Sequence, residues 1–245
     1  MPLNPLLRSM FLQFKPKFVN LQIIKSEIIR RMHIKKFVFN PFKVNTYVLY
    51  DETGQCAIID PACSGAAEQQ MLLSFLDQNH LKPVLLLLTH THIDHILGVA
   101  WARQTFGVEV SAHPDSEFYL HNASDQAALF GLQFSGMFTA GHILSENEDV
   151  VFGHTRLKVL HTPGHAIGSV CFYHQPSASL FAGDVLFHQS IGRTDLPGGD
   201  YEVLKNHIWL KLFTLPDATV VYPGHGPETT IGTEKVTNPF VAIGV

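Results

Sequence analysis

The segment at residues 89–95, Thr-His-Thr-His-Ile-Asp-His, constrains the fold of this 245-residue chain more than any other. Four side chains with metal-binding chemistry lie within it: His90, His92, Asp94 and His95. It follows an apolar run at 84–88, which predicts a buried strand. In an extended segment His90 and His92 point to one side, whereas Asp94 and His95 lie where the next helix would begin. Such spacing suits two adjacent metal ions better than one, and these donors favour zinc, iron or manganese over calcium.

Three further ligand candidates lie downstream, each just past an apolar run and directly after a glycine. They are His165, Asp184 and His225. A glycine at that point lets a loop bend sharply toward a metal. One such histidine alone is usually a hydrogen-bonded loop residue, but the recurrence at three predicted strand ends favours metal binding. The other ten histidines lack this spacing, and we interpret them as structural.

Strand-like and helix-like patterns alternate from residue 32 onward. The strand-like runs lie at 37–39, 46–50, 57–60, 84–89, 108–112, 150–161, 169–174, 180–182 and 219–222. The helix-like stretches lie at 66–79, 96–106, 113–121 and 200–213, and Asp200 is placed to cap the last of them. We expect an α/β fold in which two mixed sheets pack face to face with helices outside.

Composition limits the class of protein. Hydrophobic residues make up 46% and charged residues 16%, which favours one globular domain with a sizeable core. The net charge of −4 argues against a nucleic-acid partner, because phosphate binding needs a clustered positive surface. Three widely spaced cysteines indicate reduced thiols and predict a cytoplasmic protein. A small-molecule substrate is the expected partner.

Residues 1–31 differ from the remainder, since they carry six lysines and arginines against one acid, Glu27. Lysines interrupt every apolar run well short of the ~20 residues that a membrane span needs. A clear signal-peptide pattern is also missing. We interpret this segment as a dispensable basic extension or a mis-assigned start, with a weak interaction arm as the alternative. Residues 32–245 form the predicted domain.

The order of these motifs resembles the metallo-β-lactamase fold superfamily, from about Met32 to Phe240. The resemblance implies a four-layer αββα sandwich with the site at one edge. It also implies a division of the ligands between two metals, with Asp184 bridging them. His90, His92 and His165 would hold one ion, and Asp94, His95 and His225 the other.

Within that superfamily the chain is most similar to compact glyoxalase II-like hydrolases. The runs at 191–200 and 224–235 resemble that subgroup. An aspartate at position 184, rather than cysteine or histidine, points away from true β-lactamases. The resemblance implies a metal-dependent hydrolase that cleaves a small thioester, such as a hydroxyacylglutathione, with a metal-bridging hydroxide. Two divalent ions would lower the pKa of a shared water from 15.7 to about 7.

Several residues have candidate roles around the metals. Asp94 and Asp184 would be the catalytic carboxylates, offsetting part of the metal charge. Asp60 would accept a hydrogen bond from a ligand histidine, although an Asp before Pro61 also suits a turn. Arg193 and Lys235 are candidate anchors for an anionic substrate group, with an ordinary solvated charge as the alternative for each. Residues 127–138 would form a lid or a helix packed on the sandwich.

Three other functions remain open. The run at 192–195, Gly-Arg-Thr-Asp, is shared with iron-dependent dioxygenases of the same superfamily that act on a persulfide and use a single iron. Phosphodiester hydrolysis of RNA uses the same two-metal site, but the acidic body disfavours it. A non-catalytic binding protein would not be expected to keep seven ligands.

Overall fold

The computed structural model describes residues 31–132, 134, 136 and 138–243. Its first sheet has six strands in the order β1 to β6. Among the first three strands each neighbouring pair is antiparallel, and the next three strands run parallel to β3. The bounds are β1 His33–Phe39, β2 Val44–Tyr50, β3 Gln55–Ile59, β4 Lys82–Leu87, β5 Val110–Ala112 and β6 His142–Ile143.

The second sheet also has six strands, in the order β14-β13-β10-β9-β8-β7. All neighbours are antiparallel except β10 and β13, which are parallel. A two-stranded ribbon of β11 and β12 lies apart from both sheets. The bounds are β7 Asp149–Phe152, β8 Thr155–His161, β9 Val170–His174, β10 Ser179–Gly183, β11 Leu186–Phe187, β12 Ser190–Ile191, β13 Val220–Pro223 and β14 Thr229–Thr230.

Seven α-helical segments connect the strands in the described part of the chain. They are α1 Ala66–Gln78, α2 Ile93–Ile96, α3 Val99–Phe106, α4 Glu117–Leu120, α5 Ala123–Leu129, α6 Tyr201–His207 and α7 Ile231–Thr237. A π-helical turn, Ile208–Leu212, extends α6. The predicted cap of α6 is present, because the Asp200 side chain accepts a hydrogen bond from the backbone N–H of Val203 at 3.0 Å.

Alternation along the strands divides the core into three layers. In β2, Tyr47 and Leu49 face the second sheet, whereas Val48 faces the helices on the outside of the first sheet. In β9, Phe172 faces the first sheet and Cys171 faces outward. Successive side chains of a strand point to opposite faces, so strands covered on both sides are apolar throughout.

Helices cover the outer face of each sheet. Leu72 of α1 and Ala102 of α3 pack on the first sheet, and Leu204 of α6 packs on the second. The four layers are therefore helix, sheet, sheet and helix, which confirms the predicted α/β sandwich.

Several boundaries differ from the prediction, each for a local reason. The predicted strand at 150–161 is a hairpin of β7 and β8, because Gly153 with φ +52° makes a turn. The predicted helix at 96–106 is broken near Gly98, whose backbone lies against Pro61 and Cys63 and leaves no room for a side chain. The predicted helix at 113–121 contains a 3₁₀ turn at its start.

The prediction for the basic segment concerns residues 1–31, of which 1–30 lie outside the described residues. Among the described residues no helix is both long and apolar enough to cross a membrane.

The layer between the sheets should dominate stability. Phe172 is fully buried there, so Phe172→Ala should lower the free energy of unfolding by about 3–5 kcal/mol through lost burial and the cavity left behind. Val151→Ala, on exposed β7 surface, should change it by no more than about 0.5 kcal/mol. Urea unfolding at one fixed metal concentration measures both. Equal losses in the two variants would contradict the assignment of this layer.

Candidate metal centre

The candidate ligands lie at one edge of the sandwich, where strands of both sheets end. His90 follows β4, Asp184 follows β10, and His225 follows β13. Because β8, β10 and β13 run in the same direction, their carboxyl ends meet, and His165 follows β8. Backbone hydrogen bonds join the two sheets at this edge, from Val170 to Thr89 at 2.8 Å and from Asn45 to Gly224 at 2.7 Å. The α/β rule that ligands bind at the carboxyl ends of strands applies here.

The first group of side chains is His90, His92 and His165. Their ring centroids lie 4.6 to 4.9 Å apart. The Nε2 atoms of all three are buried and have no hydrogen-bond partner. Buried polar atoms rarely remain unsatisfied, and three converging imidazole nitrogens are the donor set that zinc or iron prefers. The arrangement fits one metal ion.

The second group is Asp94, His95 and His225. The Nε2 atom of His225 lies 3.3 Å from Asp94 Oδ2 and 3.3 Å from His95 Nε2. These ligand atoms could hold a second ion, since they all lie within 4.8 Å of one another.

Asp184 lies between the two groups. Its Oδ1 is 3.4 Å from His95 Nε2, and its Oδ2 is 3.4 Å from His225 Nε2 and 3.7 Å from His165 Nε2. The Oδ1 atom is buried without a hydrogen bond. A carboxylate that faces both groups is placed to bridge two ions. The structure thus brings all seven predicted ligands together, and their role as ligands remains a prediction.

Burial keeps the first group neutral. It lowers the pKa of His92 to about 3, with His165 adding to the effect. It lowers the pKa of His90 well below its ordinary value, with His95 and His92 contributing. Burial also lowers the pKa of His165, although Asp184 opposes the shift. Neutral imidazoles are the form that binds a metal.

Carboxylates dominate the second group. Burial alone would lower the pKa of His225, but hydrogen bonds with Asp184 and Asp94 outweigh it and raise the pKa to about 9. The pKa of His95 is likewise raised against burial, by the charges of Asp184, Asp94 and Asp60. Burial would raise the pKa of Asp184, but His95 and His225 hold it well below its usual value. In the metal-free protein the second group therefore binds protons.

Asp60 links ligands of both groups. Its Oδ2 accepts hydrogen bonds from His95 Nδ1 at 2.9 Å and from the Thr89 hydroxyl at 2.6 Å, and its Oδ1 accepts one from the Thr89 N–H at 2.8 Å. Because the Thr89 hydroxyl donates to Asp60, its oxygen is free to accept from His90 Nδ1 at 3.1 Å. Asp60 has φ +47°, a left-handed conformation that Asp tolerates better than most residues. The hydrogen bond predicted from a ligand histidine is present.

Backbone carbonyls orient two more ligands. His165 Nδ1 donates to the carbonyl of Arg193 at 2.8 Å, and His225 Nδ1 donates to that of Phe42 at 3.1 Å. A proton held at Nδ1 leaves Nε2 as the metal donor.

All three glycines before ligands are required by the close approach of neighbouring atoms. A side chain at Gly164, which has φ +127°, would meet the backbone of Leu204. A side chain at Gly224 would meet Asp184 Oδ1 and the ring of His95. A side chain at Gly183, which has φ +49°, would meet Thr89. The prediction that these glycines permit sharp bends is correct for Gly164 and Gly183, whereas Gly224 serves close packing.

A cavity of about 240 Å³ opens onto the centre. Its floor includes ligands from both groups, for example His92 and His225, together with Asp184. The other lining residues are Phe42, Ile93, Gln126, Phe130, Arg193 and Leu196. One substrate in this cavity would reach both metal positions.

The two predicted substrate anchors differ in position. Arg193 lines the cavity, but its guanidinium makes two hydrogen bonds of 2.7 Å to Asp195. Lys235 does not line the cavity, and its ammonium group pairs with Asp217 at 2.5 Å.

Residues 127–138 were predicted as a lid or as a packed helix. The helix ends at Leu129, and the described residues after it are not helical, so most of the segment is not the predicted packed helix. Ala127 and Phe138 are nevertheless buried against the first sheet, whereas Phe130 reaches the cavity. Residues 133, 135 and 137 lie outside the described residues. Sequence reasoning missed the cavity role of Phe42, which lies in no ligand motif, whereas Phe130 falls within the segment predicted as a lid or a packed helix.

A third group, His113, Asp115 and His161, lies close together outside this centre. The rings of His113 and His161 stack at 3.9 Å with only 9° between their planes. The lone pair of an imidazole nitrogen lies in the plane of its ring. In two stacked parallel rings the lone pairs therefore lie in two parallel planes and do not converge on one metal ion. This geometry fits the predicted structural role better than metal binding.

Comparison with known families identifies the fold. A family model described as the metallo-beta-lactamase superfamily matches residues 39–225. A protein of Bacillus subtilis named "Probable metallo-hydrolase YqgX" is 36% identical over 86% of this chain and 98% of its own length. The "Hydroxyacylglutathione hydrolase GloC" of Haemophilus influenzae is 35% identical over the same shares.

Solved structures agree with this result. BLEG-1, described as a B3 metallo-beta-lactamase, has a TM-score of 0.79 and 40% identity over 85% of this chain and 99% of its own. TTHA1623, solved in a di-iron-bound form, has a TM-score of 0.75 and 36% identity over 84% and 99%. ETHE1 from Myxococcus xanthus has a TM-score of 0.71 and 28% identity over 86% and 84%.

Replacing Asp60 should weaken metal binding. In the wild-type protein, His95 and Thr89 donate hydrogen bonds to both oxygens of Asp60. In Asp60→Asn one of these oxygens becomes an NH₂ group, which cannot accept, so His95 or Thr89 would lose its orientation. We expect metal affinity to fall about 10- to 100-fold, measured by competition with a chelator. Asp51→Asn is the matched control, because Asp51 is a buried acid with similar hydrogen bonds on a different edge. Equal metal affinity in Asp60→Asn and Asp51→Asn would contradict the prediction that Asp60 supports metal binding.

Metal uptake should release protons mainly from the second group. His225, with a pKa of about 9, and His95 hold protons at pH 7 that a metal must displace, whereas the first group is already neutral. Zinc binding should therefore strengthen as pH rises toward 9, with up to two protons released per chain at pH 7. Calorimetry in buffers of different ionisation enthalpy measures this release, and His225→Ala should reduce it. Release that is constant from pH 7 to 10 would contradict these protonation states.

Proposed function

This chain belongs to the metallo-beta-lactamase superfamily, and from that premise we propose that it is a two-metal hydrolase of small thioesters, with activity like that of a hydroxyacylglutathione hydrolase. The single observation that carries the proposal is the position of Asp184 between two complete groups of ligands at the floor of one cavity. Zinc is the proposed metal, with iron or manganese as alternatives.

The ligand set gives each residue a definite task. When bound, two divalent ions supply a hydroxide nucleophile near neutral pH and polarise the substrate carbonyl. The negative charges of Asp94 and Asp184 would offset part of the repulsion between two divalent ions bound close to each other. Asp60 and Thr89 hold the rings of His95 and His90 in one orientation, which keeps the donor atoms preorganised.

The comparisons supply support of two kinds. The Haemophilus influenzae relative is named a hydroxyacylglutathione hydrolase, and this chain spans nearly all of its length. The structure solved in a di-iron-bound form supports two metal positions in this fold.

A second candidate is a mononuclear iron dioxygenase acting on a persulfide. The first group favours it, because three neutral histidines with unpartnered Nε2 atoms could hold one iron without the second group. The run at 192–195 also matches that enzyme class. Hydrolysis of RNA ranks below both, since the described residues that line the cavity include a single arginine or lysine, Arg193, rather than a row of them for phosphates.

Elemental analysis of the purified protein, run beside hydrolysis of S-D-lactoylglutathione, tests the proposal. About two metals per chain with turnover would support it. A single iron without thioesterase activity, together with oxygen consumption on a persulfide, would favour the dioxygenase. Because one structural relative is described as a β-lactamase, a β-lactam belongs in the same assay, and turnover of the β-lactam alone would reject thioester hydrolysis.

Asp184→Ala should abolish both metal binding and turnover. The variant removes the carboxylate that faces both groups and leaves His95 and His225 without their main anionic partner. We expect loss of most of the bound metal and nearly all activity, measured by elemental analysis and by thioester assay. Asp217→Ala, which removes an acid on another surface, is the control. Retention of two metals and full activity in Asp184→Ala would contradict the proposed bridging role.

A further inference from the structure

The wall of the cavity is apolar, in contrast to its charged floor. Phe42, Phe130 and Leu196 line it together with Ile93. The rings of Phe42 and Phe130 meet edge to face with centroids 5.2 Å apart. Phe42 belongs to the β1–β2 turn and Phe130 follows α5, so two distant parts of the chain build one aromatic surface beside the metal centre.

The Phe42 side of this surface is fixed to the ligands. Asn40 donates from Nδ2 to the carbonyls of Ala62 at 3.0 Å and Asp94 at 2.9 Å, and its Oδ1 accepts from the Phe42 N–H at 2.9 Å. The carbonyl of Phe42 in turn accepts from His225 Nδ1. These hydrogen bonds fix the position of Phe42 relative to Asp94 and His225. A substrate group that packs against the Phe42 ring would therefore lie at a defined distance from these two candidate ligands.

The Phe130 side is open to solvent. Its ring is 58% exposed although it adjoins the cavity. A large exposed aromatic beside a site is characteristic of a binding surface that a ligand covers.

The lining offers no unpaired cation among the described residues. Arg193 is held by two hydrogen bonds to Asp195, and Gln126 donates to the Tyr119 carbonyl at 3.1 Å. The described lining therefore offers a bound group apolar surface without an unpaired cation. The apolar wall suits the acyl side of a thioester, with the thiol side directed to solvent.

We propose that Phe42 and Phe130 form an acyl-binding clamp that favours thioesters of apolar acyl groups, aryl or branched alkyl, over acyl groups with little apolar area, such as acetyl. This inference rests on the proposed thioester hydrolysis and names its substrate class. The clamp would bury the acyl group against the aromatic edges and place its carbonyl over the floor. Selectivity would then follow the apolar area of the acyl group rather than the identity of the thiol.

The test compares the benzoyl and acetyl thioesters of one neutral thiol, N-acetylcysteamine, with the metal-loaded enzyme. Phe130→Ala should lower kcat/KM for the benzoyl substrate about 10-fold, mainly through KM, and lower it for the acetyl substrate by a much smaller factor. Phe130→Leu should restore most of the benzoyl activity because it restores apolar area. Leu129→Ala is the matched control, since this neighbouring side chain is 84% exposed and does not line the cavity.

A binding measurement separates this inference from the proposed function. The benzyl thioether of N-acetylcysteamine lacks the thioester carbonyl and is not hydrolysed, so calorimetry with this compound reports binding alone. Its Kd should rise about 10-fold in Phe130→Ala and stay unchanged in Leu129→Ala. Absence of turnover with every thioester would overturn the proposed function, while the thioether would still test the clamp. Equal effects of Phe130→Ala on both substrates, or an unchanged thioether Kd, would overturn the clamp.

Discussion

The hydrogen bonds of one buried acid, Asp60, connect the fold to the metal centre. Asp60 directly follows β3 and accepts two hydrogen bonds from Thr89, which lies two residues beyond β4. These bonds join the ends of two parallel strands beside the candidate ligands. Thr89 packs against Gly183 of the second sheet, where any larger residue would collide. The two sheets therefore cannot slide at this edge without breaking contacts to His95 or His90. The cost of burying these polar groups is offset by their complete pairing, which is what a preorganised site requires.

Much of this centre could be predicted from the sequence because its signals are local. An apolar run followed by Gly and a His or Asp reports both the end of a strand and the chemistry at that end, and His165, Asp184 and His225 each follow that pattern. The fold class followed from the same alternation of strands and helices. The role of Asp60 stayed undecided at the level of sequence, because a turn residue before Pro61 and a partner of a ligand look identical until β3 and β4 are paired.

The features that could not be predicted from the sequence are those that depend on tertiary packing. The helix break near Gly98 arises from the backbone of Pro61 and Cys63, which are far away in the chain. Phe42 and Phe130 are 88 positions apart and carry no motif, so only the folded chain shows that they form one wall. Arg193 was a reasonable anchor by residue type, but its pairing with Asp195 two positions away depends on the loop conformation.

The two groups of ligands are chemically unequal, and this inequality shapes how the site can work. The first group is buried and neutral, ready to bind a cation, whereas the second is surrounded by carboxylates that retain protons until a metal displaces them. If a substrate binds as proposed, the apolar wall above them would exclude water from the floor, which would lower the local dielectric and strengthen the charge interactions there. The same aromatic surface that would recognise the acyl group therefore also increases the polarising effect of the centre on its carbonyl. In this proposal Phe42 would couple recognition to chemistry, because its carbonyl accepts a hydrogen bond from His225 while the Phe42 ring lines the cavity.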